Sequence, residues 1–434
     1  MINPYNLWKK NLKYIPGGNG LISKRPERFS LKKWPIYYKK CKKIYIWDLN
    51  NKKYTDMAQM GIGTCPLGYA NEKIDNSVKE SIKNGINSTL NSPEEYILAK
   101  KILKHEKFAD KIKFARGGGE AMSIAVRLAR SSSKYDQIAF SGYHGWHDWY
   151  LATNLKNKNN LNQHLLPGLE PLGVPKSLIN SIYGFKYNDI AHFKKVVKNK
   201  KLAAIVVEGC RFKTPNKKFV NEINKFCKKN KVCLIVDEIT SGWRGTLGGV
   251  YKKFGFKPDV VVYGKGIGNG YAISCIVGKN KILKYADKSF VSSTAWTERV
   301  GFTAAISVID FFEKKNAHKK IYANGEYLLK KWRELANKFD LKINFSDFPP
   351  LASFYFNYEE KINSKLYTYF TEEMLKYKYL ATNSVYVSYY HDKKVINLYL
   401  KSCEKIFKKI SLAIKKKKKL VKIDNRKEIF KRLT

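Results

Sequence analysis

The sequence predicts an α/β protein in which helices cover both faces of a largely parallel sheet. Short apolar runs with the length of buried strands alternate along the chain with segments of helical periodicity. Such alternation is typical of βαβ units, whose sheets place ligands beyond the carboxyl ends of their strands. The expected strands cover residues 111–115, 137–141, 202–208, 232–237, 259–264 and 272–277, and the expected helices residues 74–84, 93–104, 121–131 and 217–229.

Basic charge dominates the composition, since 83 Lys and Arg oppose 36 Asp and Glu for a net charge of +47. Eleven of the basic residues are Arg, which leaves 83 − 11 = 72 Lys. A lysine cluster would indicate a nucleic acid or an anionic surface as partner. Lysines instead occur throughout the chain, and the longest run is Lys415–Lys419, so a general preference for Lys codons is favoured.

Several classes of protein are excluded by composition. The hydrophobic content of 44% and aromatic content of 14% are too high for a disordered chain. No apolar run reaches the roughly 18 residues of a membrane span, and the N-terminus lacks the apolar core of a signal peptide. The seven Cys include no CxxC pair, which argues against a zinc site. We therefore expect a cytoplasmic protein without a metal.

The N-terminal part of the chain precedes the α/β pattern. The basic stretch up to about Lys43 has a Pro16-Gly17-Gly18 turn and is expected to be loop-like. Residues 44–48 and 53–57 then flank an Asn-Asn turn, a pattern that predicts a β-hairpin.

The first major strand is followed by a glycine turn. Arg116 precedes Gly117, Gly118 and Gly119, and a helix of apolar i, i+3, i+4, i+7 spacing begins directly afterwards. Free backbone N–H groups and the helix dipole make such a turn a phosphate site. A tight strand–helix connection without a ligand would give the same pattern.

Aromatic and acidic residues follow the next three strands. Tyr143 and His144 come after the second strand and could stack on a planar ligand or form a packed corner. Glu208 and Asp237 end the third and fourth strands. A carboxylate at the end of a buried strand is costly unless it is paired, so Asp237 should face a cation, or else cap a helix.

The fifth strand ends at Lys265, which three glycines follow within five residues. A desolvated lysine has a depressed pKa and can form a Schiff base. A strand-end Asp, a strand-end Lys, a phosphate turn and a stacking aromatic are together what pyridoxal phosphate requires. The set is far more specific than any of its members.

These residues resemble the class III pyridoxal-phosphate aminotransferases, in particular the glutamate-1-semialdehyde aminomutase branch, from Pro16 to about His391. The Asp237-to-Lys265 spacing of 265 − 237 = 28 residues matches the family. The other markers are Ile46-Trp47-Asp48, Tyr54-Thr55-Asp56, Gly118-Gly119-Glu120-Ala121, Arg127-Leu128-Ala129-Arg130, Gly142-Tyr143-His144-Gly145, Gly242-Trp243-Arg244 and Pro258-Asp259.

The resemblance implies a fold type I transferase. Its large domain, expected at residues 63–305, carries a mainly parallel seven-stranded sheet and binds pyridoxal 5′-phosphate. A smaller α+β domain is built from both termini, with residues 1–62 as an N-terminal arm and part of this domain and residues 306–434 as its remainder.

The resemblance also implies a role for each cofactor contact. Lys265 would hold the cofactor aldehyde and move the proton, while Asp237 would pair with the pyridine nitrogen. Ile239 and Tyr143 would cover the two ring faces, with His144 beside Tyr143. The remaining contacts are Gly118 and Gly119 at the phosphate, Glu208 near the cofactor, and Thr294, which reaches the phosphate of the other subunit and so implies a homodimer.

Departures from the family concentrate among the substrate contacts. The phosphate loop lacks the usual hydroxyls, and Asn383 stands where the aminomutase has a substrate-binding Glu. The aminomutase's substrate Arg falls near Lys24 and Arg25. The stretches 164–171 and 297–301 look like a sub-branch associated with surface-polysaccharide pathways.

Three functions follow from these observations. The leading hypothesis is an aminotransferase that moves an amino group from an amino-acid donor to a carbonyl acceptor, such as a sugar or a small keto or aldehyde metabolite. The alternative is glutamate-1-semialdehyde 2,1-aminomutase activity. The third is anion or nucleic-acid binding on an enzyme scaffold, with no reader motif to support it. The Lys-rich stretch 405–431, with apolar Ile406, Phe407, Ile410, Leu412 and Ile414, predicts instead an amphipathic terminal helix.

Overall fold

The computed structural model describes residues 3–416, which form two compact units. One unit joins the N-terminal segment up to Asn71 with the chain from Lys319 onward, and the other spans Glu72–His318. We refer to them as the terminal unit and the central unit. The sequence-based domain boundaries, after residues 62 and 305, stay a proposal.

The strands of the described chain are short and mostly buried. In chain order they are β1 Tyr38–Lys42, β2 Tyr45–Asp48, β3 Lys53–Met57, β4 Lys111–Ala115, β5 Gln137–Ser141, β6 Ile182–Gly184, β7 Leu202–Glu208, β8 Cys233–Asp237, β9 Val260–Tyr263, β10 Ser274–Gly278, β11 Ile343–Phe345, β12 Leu351–Phe356, β13 Tyr379–Ala381 and β14 Ser384–Tyr386.

The α-helices range from single turns to six turns. In chain order they are α1 Pro4–Tyr14, α2 Met60–Gly63, α3 Glu72–Lys83, α4 Pro93–His105, α5 Gly118–Ser133, α6 Asp148–Leu151, α7 Ile190–Val197, α8 Lys217–Asn230, α9 Tyr251–Phe254, α10 Asn280–Leu283, α11 Arg299–Lys315, α12 Ala317–Lys338, α13 Glu360–Lys376 and α14 Lys393–Lys415.

The central unit contains a seven-stranded sheet of order β4-β10-β9-β8-β7-β5-β6. Strands β9, β8, β7, β5 and β6 are parallel to one another, whereas β10 runs antiparallel to both β9 and β4. The strands β7, β8, β9 and β10 are buried along their whole length. Their nearly continuous apolar sequences reflect this burial, because both faces of a mostly parallel sheet are covered.

Helix α5 packs against this sheet, and its buried side chains form part of the hydrophobic core. Its buried residues include Ala121, Ile124, Ala125 and Leu128, which the sequence placed on one helical stripe. They join side chains of β5, β7, β8, β9 and β10 in one hydrophobic cluster. The helix therefore fixes the glycine turn at its own N-terminus against the carboxyl edge of the sheet.

The terminal unit contains two smaller sheets. One has the order β1-β2-β3-β13, and the predicted hairpin is its β2–β3 pair. The turn is stabilised by Asp48, whose Oδ1 accepts hydrogen bonds from the N–H groups of Asn50 and Lys52 at 2.9 Å each. The other sheet has the order β11-β12-β14.

The expectation of a loop-like N-terminal stretch is wrong. Helix α1 begins after Asn3, whose side chain accepts hydrogen bonds from the N–H groups of Tyr5 and Asn6, and Pro4 occupies the first helical position. Asparagine at the N-cap followed by proline is a strong start signal. The helix is anchored by Trp8, which is buried and donates its indole N–H to Glu27 Oε1 at 2.9 Å.

The expected amphipathic terminal helix corresponds to α14 up to Lys415. Ile406, Phe407 and Ile410 are buried as predicted, but Leu412 is 48% exposed. Residues 417–431 of the predicted basic stretch lie outside the described residues. None of the helices within residues 3–416 combines the length and the apolar character needed to cross a bilayer.

Candidate active site

Four loops of the central unit follow the carboxyl ends of adjacent parallel strands. They come after β5, β7, β8 and β9, which are neighbours in the sheet. The strand ends and loops at this edge carry Tyr143, Glu208, Asp237 and Lys265, in that order along the chain; Glu208 and Asp237 are the last residues of their strands. The structure thus brings together side chains that are more than 120 residues apart in sequence (265 − 143 = 122).

Asp237 is the last residue of β8 and is 5% exposed. Its Oδ1 accepts a hydrogen bond from the N–H of Ile239 at 2.9 Å, which folds the chain back over the strand end. Its Oδ2 lies 2.8 Å from Nδ1 of His144. Each carboxylate oxygen has a second lone pair, so Asp237 retains the capacity to bind a further donor.

The glycine turn packs tightly against two other loops. A Cβ on Gly118 would lie 3.0 Å from Cδ1 of Ile239, and one on Gly119 would lie 2.9 Å from Nδ1 of His147. Gly117 is the N-cap of α5, and its N–H donates to Glu120 Oε2 at 3.1 Å. The N–H groups of Gly118 and Gly119 belong to the first helical turn, where no intrahelical acceptor exists.

Lys265 begins a 3₁₀ turn, Lys265–Gly268, which Gly264 separates from the end of β9. Its φ of +45° lies in the left-handed region, which is uncommon for a residue other than glycine and often marks functional strain. Its Nζ donates a hydrogen bond to Oγ1 of Thr240 at 2.8 Å. Because Thr240 follows Ile239, the amine is held beside the loop that also carries Asp237.

Glu208 ends β7 and is 8% exposed. Its Oε2 accepts a hydrogen bond from the N–H of Tyr143 at 3.2 Å. Gly142 has a φ of +119°, and a Cβ there would lie 2.5 Å from Cγ of Glu208. The turn before Tyr143 therefore wraps around this carboxylate, a close approach that requires glycine.

Two residues that the sequence did not single out connect these groups. Arg211 donates to Oε1 of Glu208 from Nε at 2.7 Å and lies 2.6 Å from the same oxygen through Nη2. Its Nη2 also donates to Thr240 Oγ1 at 3.1 Å. Two features of the sequence could have identified Arg211 as a site residue. Arginine is scarce in this chain, and Arg211 lies three residues after the Glu that ends a strand.

Two histidines line the loop after β5. Nδ1 of His147 is buried and has no hydrogen-bond partner among the described residues, and burial lowers the pKa of this imidazole. His164 is the acceptor for the N–H of Gly142 at 3.2 Å, and burial lowers its pKa to about 3. A neutral His164 is required for that contact, because a protonated imidazole cannot accept a hydrogen bond.

Thr294 begins the 3₁₀ turn Thr294–Thr297 and is exposed. The same turn is tied to the start of α5, because Trp296 donates its indole N–H to Glu120 Oε1 at 3.0 Å and Arg116 Nε donates to Ala295 O at 2.7 Å. The role of Thr294 at a second subunit stays a prediction.

The residues predicted for substrate binding lie in the terminal unit. Lys24 is exposed, and Arg25 is half-buried against the Pro16-Gly17-Gly18 turn, where a Cβ on Gly17 would overlap its guanidinium. Asn383 is 8% exposed, and its Nδ2 donates to Phe354 O at 3.2 Å. Their contact with a substrate stays a prediction.

Two further acidic residues of the central unit, Glu238 and Glu106, are buried. Glu238 accepts hydrogen bonds from Ser241 Oγ at 2.6 Å and from the N–H of Tyr251 at 2.7 Å, and burial raises its pKa to about 8. Glu106 is fully buried and accepts from Tyr263 Oη at 2.7 Å. Within the described residues, no group of three or more His, Cys, Asp or Glu could hold a metal ion.

The sequence matches the family model described as Aminotransferase class-III over residues 29–343. The chain therefore belongs to the class III aminotransferases, which are pyridoxal-phosphate-dependent enzymes. It is 29% identical to the 3-aminobutyryl-CoA aminotransferase of Cloacimonas acidaminovorans over 89% of this chain and 90% of that protein. It is 31% identical to the glutamate-1-semialdehyde 2,1-aminomutase of Sulfolobus acidocaldarius over 77% of this chain and 79% of that protein.

Solved structures show the same fold. The FumI protein of Sphingopyxis sp. MTA144, in its PLP internal aldimine form, has a TM-score of 0.85 at 20% identity and covers 95% of this chain and 97% of its own. An omega-transaminase from Sphaerobacter thermophilus has a TM-score of 0.82 at 16% identity and covers 93% of this chain and 97% of its own. The predicted fold type I architecture is confirmed.

The residues of the central unit fit pyridoxal 5′-phosphate, the cofactor of this family. The site offers an amine at Lys265, a carboxylate at Asp237, and first-turn N–H groups at Gly118 and Gly119. His147 adds a buried nitrogen without a partner in the described chain, and it lies beside the glycine turn. An anion at the N-terminus of α5 would satisfy these groups.

Proposed function

We propose that the protein transfers an amino group from an amino-acid donor to a small carbonyl acceptor. The observation that carries this proposal is the joint placement of Lys265 and Asp237 at the ends of adjacent strands. Nζ of Lys265 rests on Thr240, and the Asp237 carboxylate is held by His144 and by the Ile239 N–H. The cofactor supplies the electron sink that allows a proton to leave the carbon bearing the amino group.

Each residue has a defined task in this proposal. With the cofactor bound, Nζ of Lys265 would hold it before the donor arrives and would serve as the general base for the substrate proton. The Asp237 carboxylate would favour a protonated pyridine nitrogen, because an opposite charge favours the charged form. The Gly118 and Gly119 N–H groups would bind the phosphate, and the aromatic ring of Tyr143 would exclude water from one face of the site.

The proposed acceptor is a keto or aldehyde compound, with a sugar as the favoured class. The support is the resemblance of residues 164–171 and 297–301 to a sub-branch associated with surface-polysaccharide pathways. Glutamate is the first donor to test, and a panel of keto and aldehyde sugars is the matching panel of acceptors.

The half-reaction tests this proposal directly. Adding glutamate to the purified holoenzyme should shift the absorbance of the bound cofactor to that of its amine form. Lys265→Ala should abolish the shift, whereas Lys279→Ala should leave it intact, since Lys279 follows β10 and pairs with Asp259 at 2.9 Å. Retention of the half-reaction in Lys265→Ala would refute the role of Lys265.

Glutamate-1-semialdehyde 2,1-aminomutase activity is the second candidate. Several relatives carry that name at 27–33% identity, including proteins from Sulfurisphaera tokodaii and Nitrosopumilus maritimus. Against it stands Asn383, whose amide is engaged with the Phe354 carbonyl and carries no charge. Formation of 5-aminolevulinate from glutamate-1-semialdehyde without an added donor would favour the aminomutase.

We also propose a homodimer in which Thr294 serves the site of the other subunit. Exposed apolar side chains support it, since Leu90 is 81% and Phe290 is 89% exposed. The segment before Leu90 is tied to the start of α11, because the N–H of Arg299 donates to Ile86 O at 2.9 Å. A subunit interface that includes them would bury these apolar side chains.

Mixed dimers test this arrangement. In such a dimer one subunit carries Lys265→Ala and the other carries Thr294→Val. If Thr294 serves the site of the other subunit, one of the two active sites has neither substitution, so the rapid half-reaction should return in half of the sites. If Thr294 instead acts in its own subunit, no site is intact and no rapid phase returns. Light scattering of the wild-type protein measures the mass of the assembly.

A further inference from the structure

Arg211 lies three residues beyond the end of β7 and is 8% exposed. It is one of only 11 arginines among 83 basic residues. Burial of a guanidinium is costly unless the group is paired and hydrogen-bonded. The contacts of Arg211 are therefore expected to be specific, and they extend in two directions.

In one direction, Arg211 holds Glu208. Two of its nitrogens contact Oε1 of Glu208, at 2.7 and 2.6 Å. The other oxygen of Glu208 accepts from the N–H of Tyr143, and the Gly142 turn wraps around this carboxylate. The position of Arg211 is thus transmitted to the backbone that carries the Tyr143 ring.

In the other direction, Arg211 shares an acceptor with Lys265. Oγ1 of Thr240 accepts from Arg211 Nη2 at 3.1 Å and from Lys265 Nζ at 2.8 Å. A hydroxyl oxygen has two lone pairs, so these two donors use both of them. Thr240 is 4% exposed, and its hydroxyl ties the two cations to each other.

We propose that Arg211 is a positioning residue that sets the spacing between the Tyr143 ring and the Lys265 amine. This spacing defines the slot that the planar cofactor enters, so the proposal rests on the proposed roles of those two residues. Arginine suits the task because its planar fork binds two acceptors at fixed angles, whereas the single ammonium of lysine cannot reproduce that geometry.

Cofactor binding in the absence of any amino donor tests the proposal separately from the reaction. The cofactor-free protein is titrated with pyridoxal 5′-phosphate, and the dissociation constant and the absorbance maximum of the bound cofactor are measured. We expect Arg211→Gln and Thr240→Val each to raise the dissociation constant about 10-fold and to move the absorbance maximum, as loss of a charge-assisted hydrogen bond implies. Arg211→Lys should recover only part of the loss, whereas Thr240→Ser should recover most of what Thr240→Val loses.

The controls separate positioning from stability. Arg130 is a half-buried arginine of α5 whose Nε donates to Asp136 O at 2.8 Å, and Arg130→Gln removes the same charge away from the site. Arg130→Gln should bind the cofactor as the wild type does. If Arg211→Gln lowers only the melting temperature and keeps the wild-type dissociation constant and spectrum, the proposal is wrong.

A folding defect in Arg211→Gln would not leave the question open. Thr240→Val is nearly isosteric and removes only the shared hydroxyl, so wild-type cofactor binding and spectrum in this variant would also overturn the proposal. A wild-type protein that binds the cofactor but shows no donor-induced change would contradict the proposed transamination instead.

Discussion

Nδ1 of His144 lies 2.8 Å from Oδ2 of Asp237, and the two residues are 1% and 5% exposed. The other ring nitrogen of His144 lies 3.3 Å from the carbonyl oxygen of Ser141. A buried imidazole between a carbonyl and a carboxylate fixes the orientation of that carboxylate, as supporting residues do in other sites. The arrangement also lets a loop after β5 control a residue at the end of β8.

The negative charge of Asp237 is expected to contribute more to the rate of the half-reaction than its hydrogen bonds do. Asp237→Asn should slow the half-reaction with glutamate by about 100-fold, because a preorganised charge is replaced by a neutral amide. Stopped-flow absorbance of the holoenzyme measures this rate. The control is Asp259→Asn, since Asp259 precedes β9 and pairs with Lys279 and Lys281 away from the site. Equal slowing in the two variants would argue against a specific role for Asp237.

The glycine turn should tolerate a methyl group at one position only. Gly118→Ala places a Cβ 3.0 Å from Ile239, and such overpacking costs about 1–3 kcal/mol, so the cofactor dissociation constant should rise roughly 10-fold. Gly117→Ala is the matched control, because its nearest contact would be Glu120 Cβ at an ordinary 3.8 Å. Equilibrium titration of the two variants with the cofactor measures both dissociation constants. Tighter cofactor binding by Gly118→Ala than by Gly117→Ala would contradict the prediction.

His391 is expected to make the protein sensitive to acid. Its Nδ1 accepts from the N–H of Ser388 at 3.0 Å, its Nε2 lies 2.8 Å from Asp56 O, and burial lowers its pKa from 6.5 to about 4. A lowered pKa in the folded state means that stability is present above pH 6.5 and is lost as the pH falls toward 4. Between pH 7.5 and pH 5 this single titration should cost on the order of 2 kcal/mol of stability. Because His164 and Glu238 also titrate over this range, urea unfolding of the wild type has to be compared with that of a variant that lacks the His391 imidazole.

The variant His391→Gln removes this titration, so it should lose about 2 kcal/mol less stability than the wild type when the pH falls from 7.5 to 5. His192→Gln, in helix α7, is the control and should show the same pH dependence as the wild type. Equal changes in the free energy of unfolding between pH 7.5 and pH 5 in the wild type and in His391→Gln would contradict the prediction.

Glu238 should give a pH dependence of the opposite sign. Burial raises its pKa from 4.5 to about 8, so the folded protein binds the proton more tightly than the unfolded chain does. Its contribution to the free energy of unfolding is fully present below pH 4.5 and is lost as the pH rises toward 8. Glu238→Gln mimics the protonated form and should gain stability relative to the wild type at pH 8 by about 1–2 kcal/mol, measured by urea unfolding. Equal pH slopes in the two proteins would contradict this.

The sequence predicted the strands of the central sheet well because their apolar runs end abruptly at polar residues. Strand β6 was missed, since three residues carry too little pattern, and helix α1 was missed although Asn3 and Pro4 signal its start. Lys265 and Asp237 were found because their contexts differ from those of other charged residues. Arg211 and Thr240 were not found, because their importance arises from contacts between different loops that no local pattern records.

The place of β10 in the sheet constrains the order in which the chain can assemble. Residues 111–115 form β4 early in the sequence, yet β4 pairs with β10, in which Gly278 lies opposite Lys111. During synthesis on the ribosome, β4 has no partner until residues 274–278 have emerged, so nascent chains expose an unpaired edge. Because β10 can join the sheet only late in synthesis, good yields of the folded enzyme are expected to require chaperones or expression at low temperature.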